Sequence, residues 1–184
     1  MNEPLYRQMT DFLLAQGIED MPHTGKTYLG HLIAVERLME QGGCSSDACR
    51  AGMFHSLYGT EAFQRFKLPL ERRGELQALI GERAERLAYL NCAMDRASFD
   101  AALARTGPPY PMRDRLSGEE VLLSREDFDD LCRVHLFDWL EQVPRSNYGY
   151  GYRRSAYRAM AERLGPDAVG AYDKVFAAEM QQAQ

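Results

Sequence analysis

This sequence of 184 residues is most informative at first for what it does not contain. No stretch approaches the roughly 18 consecutive apolar residues that a membrane-spanning helix needs, and the N-terminus lacks the basic start of a signal peptide. The net charge is −5 and the isoelectric point is about 5.4, so nucleic-acid binding has no electrostatic support. We therefore expect a cytoplasmic protein whose partners include neither a membrane nor a nucleic acid.

Cysteine is scarce, and its spacing matches no common metal motif. The four cysteines are Cys44, Cys49, Cys92 and Cys132, and no two of them have the CxxC spacing of a zinc site. Cys92 and Cys132 fall inside apolar helical patterns, and cytosolic chains rarely keep disulfides. We expect reduced thiols packed in the core.

The apolar residues that are present recur mainly at helical spacing, which predicts one all-α domain over residues 1–184 with one small β-hairpin. Residues 1–106 form the predicted helical core, with helices that include 3–16, 25–41 and 82–94. Residues 107–123 are predicted as a loop, GPPYP at 107–111, followed by a short hairpin around Ser117-Gly118. The C-terminal helices over 124–184 begin with a strong helix at 125–143, opened by a capping Ser124.

Histidine is also rare, with four in the chain, and two of them are arranged as in a helical metal site. His31 and His55 are 24 residues apart on two consecutive predicted helices, and Asp95 follows near the end of a later one. Imidazole and carboxylate are ligands that borderline divalent metals prefer, so we expect a divalent ion such as iron, manganese or zinc. His23, in a turn eight residues before His31, is a possible fourth ligand. A structural role in that turn is the alternative.

The residues around these histidines resemble a known superfamily. The runs GKTYLGHLIAVERLMEQGG, CRAGMFHSLYGTEAF and LIGERAERLAYLNCAMD, within residues 25–95, are similar in layout to the HD-domain superfamily, and most of all to its guanosine-tetraphosphate hydrolases. Residues 54–60 also fit an HD-like family with the signature His-Ser-x-Tyr-Gly-Thr, and that likeness extends to residues 134–143. The resemblance implies a single HD-like helical domain with His31, His55 and Asp95 as metal ligands.

This sequence departs from the HD pattern at the positions that carry its chemistry. Ser56 stands where HD proteins have the aspartate of the His-Asp pair, and a neutral hydroxyl is a poor ligand. The catalytic Glu-Asp positions of the hydrolase branch fall on Gly59 and Thr60, which cannot act as acid or base. These departures argue against guanosine-tetraphosphate hydrolysis and against a two-metal phosphatase.

Four further features are candidates for the site, each with a structural alternative. Tyr58 follows His55 by three residues and is a possible proton donor, or is simply packed. Glu61 is a possible catalytic base, or a charge at a helix start. His135 is predicted to lie at the pocket mouth, or to bond to Asp138, which shares its helix face. The tract 148–152, with Arg153–Arg154 beside it, is a possible lid for an anionic group, or an ordinary loop.

Three functions fit these residues. The first is a metal-dependent enzyme acting on a small molecule, either a hydrolase or an iron oxygenase. The second is a metal-free enzyme in which His55, His31 and Tyr58 perform acid–base chemistry. The third is a degenerate HD domain that binds a ligand or a partner without turnover. Metal content separates the first function from the other two.

Overall fold

Helices dominate the chain between residues 3 and 182, the residues that the computed structural model describes, with side chains described to residue 179. Nine α-helices lie in this part of the chain: α1 (Glu3–Leu14), α2 (Tyr28–Gln41), α3 (Ser46–Met53), α4 (Arg73–Ile80), α5 (Glu82–Ala93), α6 (Arg96–Leu103), α7 (Arg125–Gln142), α8 (Arg154–Leu164) and α9 (Pro166–Gln182). Two antiparallel hairpins accompany them: β1 (Pro22–His23) with β2 (Lys26–Thr27), and β3 (Tyr110–Arg113) with β4 (Glu120–Leu123). The predicted all-α class is confirmed.

Short polar side chains start several of these helices. Thr27 Oγ1 accepts a hydrogen bond from the Gly30 amide, and Ser45 accepts one from Ala48. Ser124 accepts one from Asp127, as its sequence pattern predicts. Each such bond satisfies an amide that has no partner inside its own helix. The cap on Thr27 explains why α2 begins at Tyr28 and not at residue 25.

Both hairpins differ from what the sequence predicts. Residues 22–27 form a tight hairpin in which Thr24 and Gly25 have positive φ angles of 39° and 71°, as the two central residues of a type I′ turn require. The second hairpin starts at Tyr110, so the prediction of loop over the whole of 107–111 is wrong at its end. Pro111 pairs with Leu122 there, and a strand of a two-stranded sheet has an open edge where a missing N–H does no harm.

The core has two parts, and α7 packs against both. One cluster of buried apolar side chains is built mainly from α1 to α5, and the other from α6, the second hairpin and α7 to α9. Val134 and Phe137 of α7 belong to the first cluster, while Leu136 and Trp139 belong to the second. Because α7 lies between the two clusters, two of its acidic side chains reach the first one: Asp138 and Glu141 contact His31 of α2, and Asp138 also contacts His55 after α3.

Two simpler expectations can be compared with the fold directly. All four cysteines are free thiols, with Cys49, Cys92 and Cys132 buried and Cys44 half-buried. Within residues 3–182, none of the helices combines the length and apolar character needed to cross a bilayer.

Candidate metal centre

Three potential ligand atoms converge where α2, α7 and the turn after α3 meet. His31 Nε2 lies 3.1 Å from Asp138 Oδ1, His55 Nε2 lies 3.3 Å from the same oxygen, and the two Nε2 atoms are 3.3 Å apart. The histidine side chains are 1% and 2% exposed, and that of Asp138 is 15% exposed. Together, His31, His55 and Asp138 can hold a metal ion.

The second nitrogen of each imidazole fixes which nitrogen carries the proton. His55 Nδ1 lies 2.7 Å from the Gly52 carbonyl, one of the carbonyls left free at the end of α3, and a carbonyl can only accept. His31 Nδ1 likewise lies 2.7 Å from the Glu141 carboxylate. Both rings therefore donate from Nδ1 and turn Nε2 towards Asp138, the orientation of metal-ligating histidines, whose Nε2 binds an ion once it has lost its proton.

The spacing of the three atoms also suits a common ion. Two ligand atoms that each lie about 2.1 Å from one ion are about 3.0 Å apart at a right angle and about 3.4 Å apart at the tetrahedral angle. The separations of 3.1 to 3.3 Å between His31, His55 and Asp138 lie within this range. No ligand atom has to move far for an ion to contact all three.

Glu141 holds His31 in place and is itself held by two cations. Lys26 Nζ donates to Glu141 Oε1 at 2.7 Å, and Arg145 Nη2 lies 2.8 and 2.9 Å from the two carboxylate oxygens. Burial alone would raise the pKa of Glu141, but hydrogen bonds from His31 and Lys26 outweigh it and lower that pKa to about 2. The carboxylate that orients His31 is thus ionised at neutral pH.

The ligand side chains have perturbed pKa values of their own. Burial lowers the pKa of His31, but hydrogen bonds to Asp138 and Glu141 reverse this and raise it above its ordinary value. Burial raises the pKa of Asp138, and the two histidines overcome that effect and keep it well below its usual range. In the absence of an ion, a proton held between His31 and Asp138 joins the two side chains by a hydrogen bond. A metal ion must displace this proton, so protons and metal compete for the site.

The cluster opens into a cavity of about 760 Å³, a volume typical of small-molecule sites. His55, Ser56 and Asp138 line it, while His31 lies behind them. Ser56 Oγ is 3.0 Å from the buried Tyr28 hydroxyl, so Ser56 lines this cavity as a neutral group.

His23 sits at the wall of this cavity, beside the cluster and not within it. Its ring centroid is 4.3 Å from that of His31, and its Nε2 is buried with no hydrogen-bond partner among the described residues. Burial and the neighbouring His31 lower the pKa of His23 to about 4, so its imidazole is neutral at neutral pH. The structure therefore presents His23 as a neutral imidazole at the cavity wall.

Asp95, the predicted carboxylate ligand, is not part of the cluster, and Asp138 takes that place. Asp95 is the residue before α6, and its Oδ1 accepts a hydrogen bond from the Ser98 amide at 2.8 Å, which caps the helix. Glu61, the predicted base, accepts from the Arg96 amide at 3.0 Å at the same helix start, and it does not line the cavity. Both carboxylates serve the first turn of α6.

Tyr58 and His135 lie outside the cavity as well. The Tyr58 hydroxyl donates to Glu85 at 2.8 Å, and burial, helped by Glu85, raises the Tyr58 pKa above its ordinary value. His135 is buried between Phe99 and Tyr157, and burial lowers its pKa to about 3. Although His135 and Asp138 share a helix, only Asp138 reaches the ligand cluster.

The segment after α7 contributes one wall of the cavity. Tyr148 lines the mouth and is 69% exposed, while Arg153 and Arg154 pair with Asp100 and Glu179 at 2.5 and 2.8 Å. The two arginines predicted to face an anionic group are therefore engaged elsewhere. A lid role for residues 148–152 stays a prediction.

The comparisons with known proteins give a family match for the part of the chain that carries both histidines. Residues 12–96, just under half of the chain, match a domain of unknown function (DUF6817). No curated protein and no solved structure matches this sequence. The matched segment includes His23, His31 and His55 but ends well before Asp138 and Glu141.

Proposed function

We propose that this protein is a metal-dependent enzyme acting on a small molecule, with one divalent ion of the iron, manganese or zinc type bound by His31, His55 and Asp138. The observation that carries the proposal is the double anchoring of the imidazoles by Gly52 and Glu141, which turns both Nε2 atoms towards one carboxylate oxygen. Such anchoring is the usual second layer of a metal site.

Hydrolysis is the reaction that the surrounding residues support best. A divalent ion in a three-ligand site lowers the pKa of bound water and polarises the bond under attack. His23, whose buried Nε2 has no hydrogen-bond partner among the described residues, lies at the cavity wall beside this site and offers a polar contact to a bound molecule. Ser56 contributes no charge, and this favours a single ion over a pair.

Oxygenation is the second candidate, and the composition of the ligand set favours it. Two histidines and one carboxylate on one face of an ion are the set used by non-haem iron oxygenases. Iron in the purified protein would favour this reaction, and zinc would favour hydrolysis. The HD resemblance is compatible with either and remains a hypothesis, with Asp138 in place of Asp95.

The metal-free alternative finds less support in the geometry. It requires Tyr58 to reach a substrate beside His31 and His55, yet the Tyr58 hydroxyl is bonded to the buried Glu85 and does not line the cavity. A binding module without turnover remains the alternative if metal and ligand bind and no reaction is found.

The test is elemental analysis of untagged protein purified without added metal, with two matched variants. We expect about one ion per chain for the wild type, as a single three-ligand site implies. Asp138→Asn removes the charged ligand and should reduce the metal content well below half. Asp95→Asn is the control, because asparagine also caps a helix, and it should leave metal content and folding unchanged.

Two results would overturn the proposal. One is wild-type protein that is isolated without metal and also fails to bind added iron, manganese or zinc. The other is equal loss of metal in both variants, which would restore Asp95 as a ligand.

A further inference from the structure

Positive charge is concentrated around the cavity of a protein that is acidic overall. Four cationic side chains line it, Lys26, Arg65, Arg96 and Arg145, and Asp138 is the one carboxylate among the described lining residues. The chain as a whole carries a net charge of −5. The excess of cations at the cavity is therefore a local feature and does not follow from the overall composition of the chain.

Two of the four cations are already committed inside the protein. Lys26 and Arg145 both bind the Glu141 carboxylate, and Arg145 also donates to the carbonyls of Thr24 and Glu141. The one carboxylate offsets one of these two positive charges, and both side chains are engaged in supporting His31 and the turn that carries His23.

Arg65 and Arg96 have guanidinium N–H groups without an acceptor among the described residues. Arg65 is exposed and makes no hydrogen bond or ion pair with the described residues. Arg96 donates from Nη1 to the Tyr152 hydroxyl at 2.9 Å, and no acceptor among the described residues is assigned to its Nε or Nη2. The nearby Asp100 is paired with Arg153 at 2.5 Å. Arg65 and Arg96 are therefore the two cations at the cavity that form no ion pair with a carboxylate among the described residues.

The hydrogen bond from Arg96 to Tyr152 leaves Arg96 well placed to bind an anion. The Tyr152 ring packs against Trp139 with centroids 5.1 Å apart, so the hydroxyl that accepts from Nη1 is fixed by the core. A guanidinium held at one corner can still present two parallel N–H groups to a carboxylate or phosphate. A sphere of the cavity's 760 Å³ is roughly 11 Å across, which suits one small molecule that reaches from an arginine to the ligand cluster.

We infer that the cavity binds a small molecule through an anionic oxygen group, a phosphate or a carboxylate, held by Arg96 and Arg65. This deepens the proposed function, since the same molecule would present its reacting bond to the ion at His31, His55 and Asp138. The arginines come from the loop before α4 and the first turn of α6.

The test measures anion binding by the full-length protein, both metal-loaded and treated with a chelator. The probes are inorganic phosphate and acetate at constant ionic strength, followed by the ¹H–¹⁵N signals of arginine side chains and by thermal shift. We expect one of the two probes to bind and to move the Arg96 Nε signal. Arg96→Gln should weaken that binding about tenfold, and Arg65→Gln about threefold because its exposed charge is screened by solvent.

Arg105→Gln is the matched control, since it removes the same charge from an exposed position that does not line the cavity. It should leave anion binding within twofold of the wild type. Binding of phosphate alone or of acetate alone supports the inference and assigns the anion. Absence of binding by either probe, wild-type affinity in Arg96→Gln, or equal losses in Arg105→Gln would overturn it.

The chelated sample separates this inference from the proposed function. Arginine-dependent binding that persists without metal supports the anion site even if no ion is ever found in the protein. Metal binding together with anion affinity that is indifferent to Arg96 would overturn the anion site and leave the metal site standing.

Discussion

Glu141→Gln tests the hydrogen bond that orients His31, the proposed metal ligand. Every contact to the two carboxylate oxygens of Glu141 comes from a donor: His31 Nδ1, Lys26 Nζ and Arg145 Nη2. A glutamine amide in the same place must turn its NH₂ group towards at least one of these donors. If the NH₂ group faces His31, the ring is free to move its proton to Nε2 and lose the lone pair that binds the ion.

The expected magnitude follows from this loss of orientation. Changes in the partners of metal-ligating histidines cost about 10- to 100-fold in metal affinity, which is about 1.4 to 2.8 kcal/mol. The effect should exceed that of removing an ordinary surface charge, because the Glu141 side chain is 5% exposed and the His31 side chain 1%.

The assay is competition for zinc or manganese between the protein and a chelator of known affinity, with circular dichroism to check folding. Glu75→Gln is the matched control, since Glu75 is an ion-paired glutamate on α4 whose side chain is 53% exposed and remote from the cavity. Unchanged metal affinity in folded Glu141→Gln protein would refute the assignment of His31 as an oriented ligand.

Two further predictions concern residues away from the ligand cluster. Tyr58→Phe should leave metal content unchanged and lower the free energy of unfolding by about 1 kcal/mol, because Glu85 loses one of its donors. Elemental analysis measures the metal content, and chemical denaturation measures the free energy of unfolding. Loss of activity without loss of stability would revive the acid–base hypothesis. Glu36→Gln should raise the unfolding temperature at neutral pH, since burial raises the pKa of Glu36 and its Oε1 has no partner among the described residues. The unfolded chain loses this proton at a lower pH than the folded chain, so the free energy of unfolding of the wild type falls as pH rises through the folded pKa. The advantage of the variant should therefore vanish below about pH 4 in melting curves. A difference in unfolding temperature that stays constant with pH would contradict this prediction.

Helices and caps could be predicted from the sequence because their causes are local. Ser124 and the apolar spacing after it are enough to start α7 at Arg125, and the observed helix begins there. The predicted start of α2 is three residues too early, since the residue types of Lys26 and Thr27 do not indicate that they form the second strand of a hairpin. Pro111 was similarly excluded from a strand by a rule that applies to strands paired on both sides.

The ligand set depended on long-range packing and could be predicted only in part. His31 and His55 were found because histidine is rare and the resemblance marks both. His55 nevertheless lies in the turn after α3 and not on the helix, where it can reach the Gly52 carbonyl. Asp138 carried one usable signal, a carboxylate between two large apolar residues of a helix, Phe137 and Trp139. Such a group is expensive to bury without partners, and that cost points to a site.

The long sequence separation of the contacts around His31 has a consequence for folding. The hydrogen bond between His31 and Glu141 joins residues 110 apart, and Asp138 lies in the same distant helix. An ion bound here acts as a reversible cross-link between the two halves of the core, formed only once a very long loop has closed. Ions that bind the native chain alone add about 2.7 kcal/mol at a concentration 100 times the dissociation constant. Cellular metal supply would then set how much of this protein is folded as well as how much is active.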